Sequence, residues 1–261
     1  MRRLPLHALL ALLIFAAALL EGCRTTPDAS PVGPELPVEG TSLAVDDRFP
    51  PAADVERLIA SYRGEVEAEM LVAVATAPVA ITRGRPEGTL GNLIADSIRT
   101  AAERNTGQPV DLAFSNAGGV RNDIPAGKVT VGTLFEVMPF DNSIVVFELS
   151  GEDLQRTLDS LAARGGDPMS GARYLLKDGR AQDLTIGGRP INPKGRYRVA
   201  TNDYVFDGGG RIAGLDRATR VVRTGVLLRD ALIDQVRELS RGDGTLQLSV
   251  DGRIRVAGEE R

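Results

Sequence analysis

Over residues 53–70 apolar side chains recur at helical spacing: Val55, Leu58, Ile59, Tyr62, Val66 and Met70 share one side, with charges between them. That spacing predicts an amphipathic helix. Residues 71–77 are apolar and β-branched and read as a strand that Pro78 helps to end. A second helical face follows in Leu90, Leu93, Ile94, Ile98 and Ala101, with Thr89 as its expected cap and Asn105-Thr106-Gly107 as its stop. The apolar run 110–114 reads as a buried strand. Residues 129–137 are mixed and fit one or two helical turns, and 143–149 read as another strand. Ser150 is placed to cap a helix with Glu152 and Asp153 in its first turn and Leu154, Leu158 and Leu161 inside. Gly165-Gly166 ends it. Segments 173–177 and 181–186 form an expected hairpin joined at Asp178-Gly179, and Gly187-Gly188 makes a further turn. Residues 196–201 alternate as a strand, and Thr224 is the expected cap of a helix carrying Leu227, Leu228, Ala231, Leu232 and Val236. Two closing strands are expected at 245–250 and 253–256. Hairpins interleaved with helices favour an α+β fold, a mixed sheet with packed helices, over a purely parallel sheet.

The first residues follow a different pattern. Arg2 and Arg3 precede an apolar stretch over 9–20, short for a membrane span and suited to a signal peptide. Leu20-Glu21-Gly22-Cys23 resembles a bacterial lipobox, with Glu21 where a small residue is usual. A plain secretory signal and an uncleaved anchor are the alternatives. The expected organisation is a signal peptide over 1–22, a lipidated Cys23 opening a flexible tether over 23–52, and one folded domain over 53–261. That tether is rich in Pro, Thr, Ser, Gly and acidic residues. Such a chain belongs in the bacterial cell envelope, facing the periplasm or the exterior, and meets the membrane through its lipid alone.

Composition narrows the chemistry. The net charge of −4 leaves no basic footprint for nucleic acid. Cys23 is the one cysteine, so no disulfide forms within the chain. The one histidine, His7, falls in the segment that signal cleavage would remove. A mature chain without His has no histidine metal site, Ser-His-Asp triad or Cys-His dyad. A carboxylate-only metal site stays open. Aromatics make up only 4% of the chain, so a ring beside a polar motif carries information.

The polar motif is Ser115-Asn116-Ala117-Gly118-Gly119-Val120-Arg121, directly after the strand at 110–114. Adjacent glycines allow close backbone approach and φ > 0. Arg121 offers a planar fork for a carboxylate or phosphate. The bland reading is a glycine turn with a solvated arginine.

Three segments extend this motif. They are Gly91-Asn92-Leu93-Ile94-Ala95-Asp96, then Asn116-Ala117-Gly118-Gly119-Val120-Arg121, then Met138-Pro139-Phe140 leading to Phe147-Glu148-Leu149-Ser150-Gly151. With Tyr204 and the later Gly208-Gly209, they closely resemble the C-terminal domain of the 5'-nucleotidase family over residues 71–250. In that family an N-terminal metallophosphoesterase domain holds two metal ions and performs the chemistry. The C-terminal domain binds the nucleoside between two aromatic rings and delivers it by rotation. The resemblance implies that Phe140 is one ring and Tyr204 the other, with Tyr in place of the usual Phe. It makes Asn116 the base-contacting asparagine beside Gly118 and Gly119, and Arg121 a contact to phosphate or ribose. Arg83 or Arg85 lies near the family's other arginine. The family's ribose-holding Asp falls on Gly210, with Asp207 nearby. A register slip of two would put Phe206 in place of Tyr204. Core packing of the rings and a surface ion pair at Arg121 are the competing readings, and Asn92 and Asp96 read as stabilising the fold.

The resemblance also implies a missing half. The family's metal domain needs His, Asp and Asn ligands, and there is no room for it before Ala53. No cofactor is expected in this chain, and divalent metals would belong to a separate metallophosphoesterase partner. Nucleotide hydrolysis by the chain alone is not expected. Three functions fit: the substrate-binding half of a 5'-nucleotidase-type system in nucleotide catabolism, a stand-alone extracytoplasmic binder of nucleosides or nucleotides, or a scaffold that has lost its ligand.

Overall fold

The computed structural model describes residues 43, 46 and 48–258. The expected signal peptide, Cys23 and the tether up to residue 47, apart from Leu43 and Asp46, lie outside them. The chain divides into two units, Met1–Ala52 and Ala53–Arg261. In the first, the exposed Arg48 pairs with Asp46 at 2.7 Å.

In the second unit α1 spans Ala53–Met70, β1 Ala73–Ala77, α2 Thr89–Thr106, β2 Leu112–Phe114, β3 Gly127–Thr130, α3 Val131–Val137 and β4 Ser143–Ser150. Next come α4 over Gly151–Ala162, β5 Met169–Ser170, β6 Ala172–Lys177, β7 Arg180–Ile186 and β8 Arg189–Pro190. The chain continues with β9 over Arg196–Asn202, α5 Asp203–Phe206, β10 Thr219–Leu227, α6 Leu228–Leu239 and β11 Ile254–Val256.

A five-stranded mixed sheet, ordered β10-β4-β9-β2-β5, organises the rest. β9 and β2 run parallel, and β4 is antiparallel to β9. Both faces of this sheet are covered, which is why β4 is apolar almost throughout. Ile144 and Val146 point into a core shared with α2, α3 and α6. Val145, Phe147 and Leu149 point the other way, onto Leu154, Leu158 and Leu161 of α4. A four-stranded sheet, β11-β6-β7-β8, closes that second core, and β1 pairs with β3. The expected α+β fold is therefore observed, as are the hairpin at Asp178-Gly179 and the Ser150 cap, which accepts the Asp153 N–H at 3.1 Å.

Several local expectations need correction. The N-cap of α2 is Gly88, and Thr89 Oγ1 instead accepts the Thr82 N–H at 3.0 Å. Thr224 caps nothing: it lies inside β10 and donates to the Ile144 carbonyl at 2.8 Å. Helix α6 starts after Leu227 with no side-chain cap. Residues 245–250 form only an isolated bridge, Thr76 to Thr245. The predicted helix α1 is present, but only Met70 packs against the core. Val55, Leu58, Ile59, Tyr62 and Val66 are exposed.

The closing segment is held by charge. Arg253, mostly buried, donates to Asp96 at 2.9 Å and pairs with Asp251 at 3.1 Å, so Asp96 does stabilise the fold. Burial pushes the Asp251 carboxyl up, but hydrogen bonds and charge from Arg253 and Arg173 outweigh it and hold it below its ordinary 3.8. A carboxylate depressed in the folded state stabilises above its ordinary value, and the gain is lost as pH falls through the folded value. Denaturant midpoints should therefore drop between about pH 5 and about pH 2. Asp251→Asn should flatten part of that slope; an unchanged slope would rule out this contribution.

Candidate functional site

Strand directions bring three loops to one edge of the central sheet. Parallel β2 and β9 end together, and antiparallel β4 starts there, with Ile144 opposite Asn202. The turn at 115–121 leaves β2, the loop at 138–142 enters β4, and α5 leaves β9.

Asn202 joins these pieces from a fully buried position. Its Nδ2 donates to Ser115 Oγ at 3.1 Å and to Asn116 Oδ1 at 3.2 Å. Its Oδ1 caps α5 by accepting the Val205 N–H at 2.9 Å. Asp203 then reaches across to β4 and accepts the Ser143 N–H at 3.0 Å and the Ser143 hydroxyl at 2.7 Å. Neither residue was assigned a role from sequence. The signal was there, since an Asn-Asp pair after a strand is a common cap.

Helix α5 decides which ring faces the cleft. Val205 is buried, and Phe206 packs on Phe147 with ring centroids 5.0 Å apart. Tyr204 turns outward and is 55% exposed. The slipped register, with Phe206 in the clamp, is not the one observed. Gly209 backs the tyrosine: a Cβ there would lie 2.5 Å from Tyr204 Cε1 and 2.4 Å from its carbonyl oxygen. On the other side Phe140 is 39% exposed, with the Arg121 guanidinium 5.9 Å from its ring centre.

A cleft of about 280 Å³ lies here, lined by both rings, by Asn116, Gly118 and Gly119, and by Arg121 and Asn142. That is near the lower end of ligand pockets, roughly 300–1,000 Å³. Six of the sequence-assigned residues meet in it. Asn142 is a further lining residue that sequence reasoning missed, although it follows Phe140 closely in the same loop. It adds an amide with both donor and acceptor. Neither Gly118 nor Gly119 has a positive φ, contrary to one reason given for them. A Cβ on Gly118 would meet only Asn116 Nδ2, at an ordinary 3.7 Å, whereas one on Gly119 would crowd the Asn116 amide at 3.3 Å.

The other assigned residues lie outside the cleft. Arg83 pairs with Asp123 at 2.9 Å and donates to the Arg121 carbonyl at 3.0 Å. The Arg83 backbone N–H, aided by its side chain and charge, holds the Asp123 carboxyl below its ordinary value against an opposing effect of burial. Arg85 donates to the Arg164 and Gly166 carbonyls and lies 3.5 Å from Asp167, whose Oδ1 accepts the Ala117 N–H at 3.0 Å. It thus supports the glycine turn from behind. Both arginines line a second groove of about 560 Å³ that touches the cleft at Gly118. Asp207 forms a two-pronged pair with Arg223 at 2.6 and 3.1 Å, and that hydrogen bonding holds its carboxyl below the usual range. At Gly210, φ is +81°, so an aspartate there would be strained.

Among the described residues no group of three or more His, Cys, Asp or Glu could hold a metal ion. Among the same residues no helix is long and apolar enough to cross a membrane.

Comparison with known proteins agrees with this geometry. The model of the 5'-nucleotidase C-terminal domain matches residues 71–217. The UshA protein of Escherichia coli K12 is 31% identical over 137 residues, covering 50% of this chain and 24% of that protein. The trifunctional nucleotide phosphoesterase YfkN of Bacillus subtilis is 27% identical over 234 residues, 82% of this chain and 16% of that protein. The crystal structure of a 5'-nucleotidase precursor from Thermus thermophilus superposes with a TM-score of 0.66 at 28% identity. The match covers 79% of this chain and 44% of that one. The chain thus spans a quarter or less of these curated relatives and under half of the solved structure.

Proposed function

The chain belongs to the 5'-nucleotidase C-terminal-domain family, and we propose that it is a nucleoside- or nucleotide-binding protein serving as the substrate-binding half of a 5'-nucleotidase-type system. The observation that carries this reading is the cleft between Phe140 and Tyr204, two outward-facing rings with amides beside them. A base stacked on such rings gains roughly 1–3 kcal/mol. The free Nδ2 of Asn116 and the Asn142 amide serve the base edge. Arg121 provides a charge-assisted contact for an anion. Arg83 and Arg85 are engaged with Asp123 and with backbone carbonyls, which favours a nucleoside or monophosphate over longer phosphate chains. The metals and the attacking water come from a separate metallophosphoesterase, and lipidation at Cys23 holds the pair at the cell envelope.

A stand-alone binder is the second reading. It is favoured by one observation: two rings, two amides and an arginine already meet in this cleft.

Calorimetry of the purified protein with adenosine and AMP, alongside an assay of phosphate release with divalent metal, tests both. Micromolar binding without phosphate release is expected. Heat from neither ligand would sink the nucleotide reading. Metal-dependent phosphate release by the pure chain would sink the division of labour. Phosphate release on adding a metallophosphoesterase encoded beside this chain separates the half-enzyme from the stand-alone binder.

A further inference from the structure

Arg229 is in an unfavourable place for a residue with no task. It lies in the first turn of α6, where a cation opposes the helix dipole. Its side chain is only 11% exposed, and its Nε is buried without a partner. A desolvated, incompletely bonded guanidinium costs stability that a methionine of similar reach would not. Two contacts offset this. The guanidinium sits over the Phe135 ring, 3.9 Å from its centre. Its Nη2 donates to Asp141 Oδ1 at 2.7 Å.

Asp141 is 78% exposed and lies between Phe140 and Asn142, both of which line the cleft. An exposed loop residue keeps its rotamer and backbone freedom unless something removes it. Here α6 grips the loop at two successive points: Arg229 takes the Asp141 side chain, and the Leu228 N–H donates to the Asn142 carbonyl at 2.8 Å. Phe135 sits in α3, just ahead of the same loop. Arg229 therefore bridges α6, α3 and the ring-bearing segment.

We propose that Arg229, acting through Asp141 and braced on Phe135, is a positioning residue that sets the orientation of the Phe140 ring and the Asn142 amide, and with it the affinity for the base. The pair has a second effect. It neutralises a carboxylate next to a cleft that takes an anion, so losing Arg229 leaves Asp141 to repel the ligand. The proposal rests on the nucleotide reading of the cleft only for its effect on affinity. The ordering of the ring can be read without ligand.

The test uses the purified protein with 4-fluorophenylalanine at position 140, followed by ¹⁹F NMR, and unlabelled protein titrated with AMP. Asp141→Ala suits it because an exposed side chain is lost without opening the core. The expected result is a shifted or broadened ¹⁹F signal and AMP binding weakened about fivefold; the thermal midpoint falls as well, because Arg229 is left buried without its partner, so both signals are read well below it. Asp141→Asn keeps an acceptor for Arg229 Nη2 and should restore the ¹⁹F signal. In an Arg229→Met background, Asp141→Ala should move the ¹⁹F signal no further. An unchanged ¹⁹F signal in Asp141→Ala overturns the positioning role, whether or not AMP binds. A changed signal in a protein that binds no AMP keeps the positioning role and sinks the nucleotide reading. A changed signal with unchanged AMP affinity overturns the proposed link from ring position to binding.

Discussion

Replacing Phe140 by alanine is expected to weaken AMP binding at least about tenfold, roughly 1.4 kcal/mol, while lowering the thermal midpoint by no more than about 2 °C. The two effects separate because of where the ring sits. Phe140 is 39% exposed and faces the cleft, so its truncation opens no sealed cavity. What disappears is one stacking face, together with the ring beneath the Arg121 guanidinium. Tyr204→Ala should cost a similar factor. Tyr204→Phe should cost little, because the face that stacks is retained. Calorimetry paired with thermal melts decides the matter. If Phe140→Ala binds AMP normally but melts several degrees lower, the ring belongs to the core and the clamp reading fails.

Gly151→Ala is expected to damage the fold heavily for so small a change, at about 3 kcal/mol or more. Gly151 is the first residue of α4, buried against the turn before β9. An added Cβ would sit 2.0 Å from the Asn192 carbonyl oxygen and 3.0 Å from Pro193 Cα. Both obstacles are backbone, and neither can swing aside as a side chain tip can. The same turn also accepts the Gly151 and Glu152 N–H groups, at 3.0 Å each, through the Gly195 and Pro193 carbonyls. Displacing it would therefore strand two donors as well. Denaturant unfolding measures the loss. Gly64→Ala is the control, since nothing lies within 4 Å of its site. A Gly151→Ala midpoint equal to that of the parent would show that the turn yields freely.

The physical reason for Ser150-Gly151 was out of reach in the sequence, although the pair itself stood out there. Legibility followed burial. β4 and β2 read clearly because both faces of the central sheet are covered and their apolar runs are nearly unbroken. β10 did not, because it is an edge strand exposed along most of its length, so neither alternation nor an apolar run marks it. A threonine inside it then passed for a helix cap. The rings, the glycine turn and Arg121 were legible from a motif whose parts meet in one cleft. The remaining polar residues were not. Arg83, Arg85 and Asp207 carry the right chemistry, but their partners are carbonyls, carboxylates and guanidinium groups that only the folded chain brings near. Asn142 and Asn202 were overlooked for the converse reason. A lone amide has no periodicity, and its importance comes from the strand ends around it.

That arrangement of strand ends governs when the cleft can exist during folding. Its lining comes from three stretches, around residues 116, 140 and 204, and the bond joining Asn202 to Asn116 closes a separation of 86 residues. Closing long loops is entropically unfavourable until the contacts that reward it have formed. The Arg121 N–H donates to the Val137 carbonyl at 2.9 Å and ties the first two stretches locally, but the third lies far along the chain. The parallel pairing of β9 beside β2 must be in place first. The cleft is thus a property of the completed topology, and a nascent chain released before β9 carries every residue of the glycine motif and the first ring but not the second ring that faces them.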